Sequence, residues 1–252
     1  MKLKIILQAK EFFALPINYN HMLQNKILEL LNKKNSNFLH NEGYKVKWKS
    51  FKLFNFSSLE VEKKKICKNK IFVYPGKVIL GISSADENFI FDFIDGIITN
   101  KGIDFKEGKL DLVSIFSSKE LNGNKLVVFA KTPIVVTKPY SEKAIDFFTP
   151  RDAEYLASIE KNLKDKYEAF YNKKYDKELE IEIMDESKVY KKIRKYKKWV
   201  YEGYIMGVIL NGNNDILNLA YKTGLGSKNA QGFGFVETFS SLNSLKNYIK
   251  VV

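Results

Sequence analysis

The sequence predicts an α+β chain of two tandem ferredoxin-like halves (βαββαβ, RRM-like), on three observations. Its 252 residues suit two domains of about 125 each. Apolar residues switch between strand and helix periods in the same order twice. No low-complexity linker or short-period repeat interrupts them, so element order alone places the halves at 1–124 and 125–252.

The first half opens with Met1–Ala9, which alternates apolar and polar residues as a half-buried strand does. Asn20 is read as the cap of a helix whose Leu23, Ile27, Leu30 and Leu31 form one stripe. Strands are expected near Lys45–Phe56, Glu60–Ile66 and Ile71–Ile82. Ser84-Ala85-Asp86-Glu87 reads as a capping box before the stripe Phe89, Ile90, Phe93 and Ile94. A strand at Leu110–Phe116 completes the unit.

In the second half, Leu126–Phe129 and Ile134–Thr137 read as strands. Thr149-Pro150 offers a cap and a first-turn proline to a long helix with Leu156, Ile159, Leu163, Tyr167 and Phe170 inward. Strands follow at Glu178–Met184, Val189–Lys195 and Trp199–Leu210. A short helix over Asn213–Tyr221 ends at Gly224, and Gly232–Phe239 is the last strand.

Composition narrows the class. Hydrophobic residues at 45% and charged ones at 28% fit a folded chain and exclude a wholly disordered one. The best apolar run, Tyr204–Leu210, is far short of the roughly 18 residues that cross a bilayer. Gln8, Lys10 and Glu11 cut the apolar start Ile5–Leu7, so a signal peptide is not expected. One cysteine, Cys67, makes no internal disulfide and points to the cytoplasm. With only His21 and His40 beside it, neither metal nor cofactor is expected. The net charge of +13 attracts polyanions. Codon bias explains the choice of lysine over arginine (only Arg151 and Arg194 occur) better than it explains the excess.

Four stretches bear on chemistry. Gly224-Leu225-Gly226-Ser227-Lys228-Asn229-Ala230-Gln231-Gly232-Phe233-Gly234-Phe235 can take positive φ and offer amides to phosphate, or be a tight helix-to-strand connection. It is neither a dinucleotide fingerprint nor a Walker loop. Its Gln231–Val236 part resembles an RNA-recognition strand, but the residues after Phe239 are too few for the helix and strand that follow in such domains. The run Val189–Trp199 interleaves Lys191, Lys192, Arg194, Lys195 and Lys197 with aromatics, as an RNA track or a solvated hairpin does. A histidine can move protons in both directions, and His40, followed by Lys45, Lys47, Lys49 and Lys52, would sit beside a bound phosphodiester. His21 reads as capping or packing.

Together the chain resembles the CRISPR-associated endoribonucleases that process repeat RNA, the sixth Cas family of the RAMP superfamily. The resemblance runs through Leu15–Asn20 with Leu23-Gln24, Phe38-Leu39-His40, Phe51–Ser57, Thr132-Pro133-Ile134, Asn162–Tyr167 and the glycine-rich loop. It implies two ferredoxin-like domains and RNA cleavage without metal. A ribose 2′-hydroxyl would attack the adjacent phosphorus, leaving a 2′,3′-cyclic phosphate and a 5′-hydroxyl. His40 falls on the family's histidine and is the acid–base candidate. Lys52, or Lys47, is the candidate to stabilise the phosphorane.

Leu28 stands where some members carry a catalytic tyrosine, so Tyr44, Tyr19 or a lysine is expected to substitute. RNA contacts are expected from the basic hairpin and from Arg151, Lys222, Gly226, Lys228, Asn229 and Gly232. The partner implied is CRISPR repeat RNA, with effector-complex subunits and a second copy left open. The competing readings are a weak or inactive repeat-binding RAMP subunit and a subunit that coats guide RNA.

Overall fold

A computed structural model of the chain describes residues 1–139 and 146–238; Phe239, assigned above to the last strand, lies outside them. The first half contains β1 (Lys2–Ala9), β2 (Phe13–Pro16), α1 (Asn20–Glu29), α2 (Lys33–Asn41), β3 (Tyr44–Val46), β4 (Lys49–Phe51) and β5 (Phe54–Phe56). It continues through β6 (Glu60–Val61), β7 (Lys64–Cys67), β8 (Lys70–Val73), β9 (Gly76–Ser84), α3 (Glu87–Thr99), β10 (Gly102–Phe105) and β11 (Gly108–Ser117). Its main sheet is ordered β10-β11-β1-β9-β5, with β6 also on β9. Stripped of the short hairpins, this is the fourth, first, third and second strand of a βαββαβ unit.

Alternation along β1 turns Leu3, Ile5 and Leu7 toward the helices, all at most 2% exposed. Leu23 and Ile27 of α1 and Phe89, Ile90, Phe93 and Ile97 of α3 close that core. Each such side chain stabilises the fold by about 1.5–3 kcal/mol on burial.

The second half contains β12 (Lys125–Ala130), α4 (Glu154–Tyr171), β13 (Glu180–Ile183), β14 (Tyr190–Tyr196), β15 (Trp199–Ile205), β16 (Gly207–Asn211), α5 (Asn214–Thr223) and β17 (Val236–Thr238). Its sheet runs β13-β16-β12-β17, and β14 and β15 form a separate hairpin inserted before β16. Two tandem ferredoxin-like halves are thus present, as expected. Among the described residues no helix is long and apolar enough to cross a membrane.

Several local expectations need correction. Lys45–Phe56 is three short strands, because Lys47 and Leu53 take positive φ of 52° and 51°. Pro75, with no N–H to pair, separates β8 from β9. Glu60–Ile66 divides into β6 and β7, and Trp199–Leu210 divides at Met206. Ile134–Thr137 makes only isolated bridges. Residues 33–41, for which no element is expected, are helix α2, capped by Asn32, whose side chain accepts from the Asn35 amide at 2.8 Å.

Caps also shift. Asn20 lies inside α1 and spends its amide on the Gln231 carbonyl, 3.1 Å away. Asp86 alone caps α3, through the Asn88 amide. The Thr149 amide donates to Asp152 before α4 begins at Glu154.

Candidate nucleic-acid interface

The β3–β4 hairpin decides which candidates meet. Tyr44 pairs with Phe51 and Val46 with Lys49, so the segments flanking the hairpin leave from one end. His40, exposed in the last turn of α2, arrives there three residues before Gly43, and Lys52 departs just after β4. Gly43 holds φ 67°, and a Cβ there would stand 2.6 Å from the Phe51 carbonyl oxygen, so only glycine lets the strands close. The His40 Nδ1 lies 2.9 Å from Oδ1 of Asn41.

Lys47 occupies the opposite end, the hairpin tip, where it borders Glu160, Lys164 and Asp165 of α4. It is therefore separated from His40 and Lys52 by the length of the hairpin, roughly 7–10 Å at a strand's rise per residue.

The β14–β15 hairpin supplies the facing charge. Tyr196 pairs with Trp199 across its turn, and Lys197 sits in the turn at φ 54°. The Tyr196 hydroxyl donates to Gln24 Oε1 of α1, and its ring meets His21 edge-on at 5.5 Å. Burial lowers the pKa of Lys52, and the charge of Lys197 lowers it further; the same two causes, in the same order, lower His21. Lys197 thus bears on Lys52 and His21 at once.

The hairpin's cations divide by environment. Lys192 and Lys195 are exposed, and Lys191 is tied to Glu202 at 2.6 Å. Arg194 points inward and donates to Ser58 Oγ at 2.9 Å, with Tyr19 close enough for their charges to interact. It joins the two halves, and its burial turns it away from the exposed cations of the hairpin. Lys228, held at φ 62°, lies 5.9 Å from the buried Tyr201 ring, and burial lowers its pKa.

Neither tyrosine offered for the place of Leu28 is available. Tyr44 donates its hydroxyl to Asp86 at 2.6 Å, and burial with that carboxylate raises its pKa far above neutrality. Tyr19 is 5% exposed and accepts from the Leu59 amide. Leu28 itself packs against the core of the first half.

The glycine-rich loop faces inward. Gly224, Gly226, Gly232 and Gly234 all take positive φ, as the sequence suggested. Yet Gly226, Asn229 and Gly232 are buried, which corrects their reading as surface contacts. The Leu225, Ser227, Gly232 and Gly234 amides already donate to Gly234, Val135, Asn229 and Pro133 carbonyls. Asn229 gives its amide to Leu225 and Phe233. Asn20, Gln24 and Asn55 of the first half donate to the Gln231, Ala230 and Phe233 carbonyls. The loop is a seam between the halves. A Cβ on Gly232 would strike the Phe56 ring at 2.6 Å.

Beneath the loop stands Lys166 of α4, a residue the sequence reading passed over. Its Nζ donates to the Gly224 and Gly226 carbonyls and to Asn229 Oδ1, while burial pushes its pKa down to about 7. The signal was present: Lys166 continues the buried Ile159–Leu163 stripe at helical spacing, where a solvated lysine has no place.

Two more candidates lie apart. Lys222 pairs with Glu120 at 2.7 Å, and Arg151 is exposed ahead of α4, where its charge acts on Tyr204.

Two family models match, CRISPR-associated protein Cas6, N-terminal, over residues 14–113 and CRISPR associated protein Cas6, C-terminal, over 116–238. The CRISPR-associated endoribonuclease Cas6 1 of Methanocaldococcus jannaschii is 29% identical over 99% of this chain and 97% of its own length. The CRISPR-associated endoribonuclease Cas6 of Pyrococcus furiosus is 28% identical over 89% and 84%. A solved structure described as CRISPR associated protein Cas6 superposes with a TM-score of 0.76 at 26% identity, covering 95% of this chain and 99% of that one.

Proposed function

The chain belongs to the CRISPR-associated Cas6 family, and from that premise we infer that it is an endoribonuclease cutting CRISPR repeat RNA into guide RNAs. The reading has two halves divided between residues 124 and 125, with cleavage at their mouth. A ribose 2′-hydroxyl attacks the adjacent phosphorus and loses its proton. The bond to the 5′-oxygen breaks and that oxygen gains a proton, leaving a 2′,3′-cyclic phosphate and a 5′-hydroxyl. No metal is required.

His40 is the acid–base group. Lys52 stabilises the charge that develops on phosphorus. His21, whose lowered pKa keeps a neutral imidazole near pH 7, carries the second proton in place of the tyrosine that Leu28 replaces. Lys192, Lys195, Lys197 and Lys228 hold the phosphates. A single free thiol, Cys67, suits a reducing cytoplasm.

The observation that carries this reading is the hairpin closure that sets exposed His40 and half-buried Lys52 at one end, with Lys52 in the field of Lys197. Gel analysis of repeat RNA cleavage in excess EDTA tests it, alongside a substrate with a 2′-deoxyribose at the scissile position. Cleavage of the normal RNA alone is expected; cleavage of the deoxy substrate, or dependence on added metal, overturns the mechanism. Leu28 favours one second reading, a repeat-holding subunit of an effector complex. Tight repeat binding with no product at any enzyme excess selects it.

A further inference from the structure

Strands β2, β8 and β7 form a separate sheet whose order is β2-β8-β7. Phe13 pairs with Val73, and Lys65 with Phe72. Residues paired across strands share a face, and alternate residues along a strand share it too. One face therefore carries Phe13, Leu15, Ile71 and Val73, which pack on the core of the first half. The other carries Phe12, Ala14 and Pro16 beside β2, then Lys70, Phe72 and Tyr74, then Lys63, Lys65 and Cys67.

That outer face holds three rings in contact. Phe12 and Phe72 stack at 5.9 Å with 12° between their planes, and Tyr74 meets Phe12 at 5.2 Å. Phe12 is 55% exposed and Tyr74 40%. Three lysines stand among them, and the register brings no carboxylate onto the face. By contrast, Phe233 and Phe235, the aromatics that resembled an RNA-recognition strand, are each 1% exposed.

We propose that the outer face of β2, β8 and β7 is a second RNA platform that takes single-stranded RNA flanking the repeat. Bases stack on Phe12, Phe72 and Tyr74, and Lys63, Lys65 and Lys70 meet their phosphates. Exposed rings on a sheet with cations between them suit about two or three unpaired bases in any sequence. The lysines favour a polyanion over an apolar protein partner. The proposal extends the repeat-RNA reading, yet its test reads binding and not cleavage.

Affinity is measured by fluorescence anisotropy for a repeat RNA alone and for the same RNA with a single-stranded tail of about ten uridines. The double variant Phe12→Ala, Tyr74→Ala removes exposed rings and opens no core cavity. Lys63→Gln with Lys65→Gln provides an independent variant. The tail is expected to tighten binding to the wild-type protein. Each variant is expected to lose about tenfold or more on the tailed RNA and nothing on the repeat alone. Photocrosslinking of a 5-iodouridine tail is expected to mark Phe12, Phe72 or Tyr74. A tail that adds no affinity, variants that bind it as the wild type does, or an equal loss on both RNAs overturns the platform. So does a dimer that dissociates in the variants while RNA affinity holds. Wild-type protein that binds the tailed RNA and never cuts it sinks the endoribonuclease reading and leaves the platform standing.

Discussion

Lys166 Nζ donates to Asn229 Oδ1 at 2.8 Å, joining the middle of α4 to the turn of the glycine-rich loop. Together with the Gly224 and Gly226 carbonyls, the ammonium has one acceptor for each of its hydrogens. Burial works against this charge and three acceptors favour it. The contact is consequently both a staple and a titrating group.

Lys166→Met leaves those acceptors unpaired in the interior and is expected to cost about 2–4 kcal/mol in urea unfolding. The sign of the pH effect follows from a folded pKa of about 7 against an ordinary value of 10.5. Between those values the unfolded chain binds the extra proton, so stability rises with pH, by up to about 1.4 kcal/mol per unit. From pH 7 to 9 the wild-type protein should therefore gain on the variant; a gap that stays constant would remove the titration.

His40→Ala is expected to slow single-turnover cleavage by about 10²–10⁴-fold with repeat affinity unchanged. His21→Gln, beside Tyr196 and Lys197, is expected to lose activity and to flatten one limb of the pH–rate profile. A full-speed His21 variant would leave His40 to work with a lysine.

Lys52 and Lys47 separate the two ends of one hairpin. Lys52→Ala should reduce the cleavage rate by about 10²-fold or more, whereas Lys47→Ala should stay within about twofold. The reverse order, read from the same time courses, would move the reaction to the α4 side.

Arg194 and Lys192 lie two residues apart on the same face of one strand but differ in burial. Lys192→Gln should reduce the slope of log affinity against log salt by about 0.7–0.9. Arg194→Lys should leave that slope alone and lower the melting temperature, because its Nη1 bonds Ser58 across the two halves.

The sequence carried the order of the large elements because their patterns are long. The stripes Leu23–Leu31 and Phe89–Ile97 each cover more than two helical turns, and β1 alternates over eight residues. Short elements escaped for the opposite reason. β2 is four residues, too short to repeat a period, and β8 falls with β9 inside one expected strand. Asn20 reads as a helix cap, but its partner and that of Gln24 lie more than 200 positions away, a relation no local pattern encodes. The glycines foretold a strained turn, and the turn is there. Whether its amides look out to a phosphate or in to a lysine depends on what packs below. Only α4 decides that.

The seam has a consequence for how the molecule matures. Asn20, Gln24 and Asn55 emerge early from the ribosome, while the carbonyls that receive them belong to residues 230–233. Until residues 230–233 are in place, the first half has an unsealed flank and three amides that only water can serve. A product lacking those residues would keep His40 and the β14–β15 hairpin but lose the carbonyls that seal one half to the other.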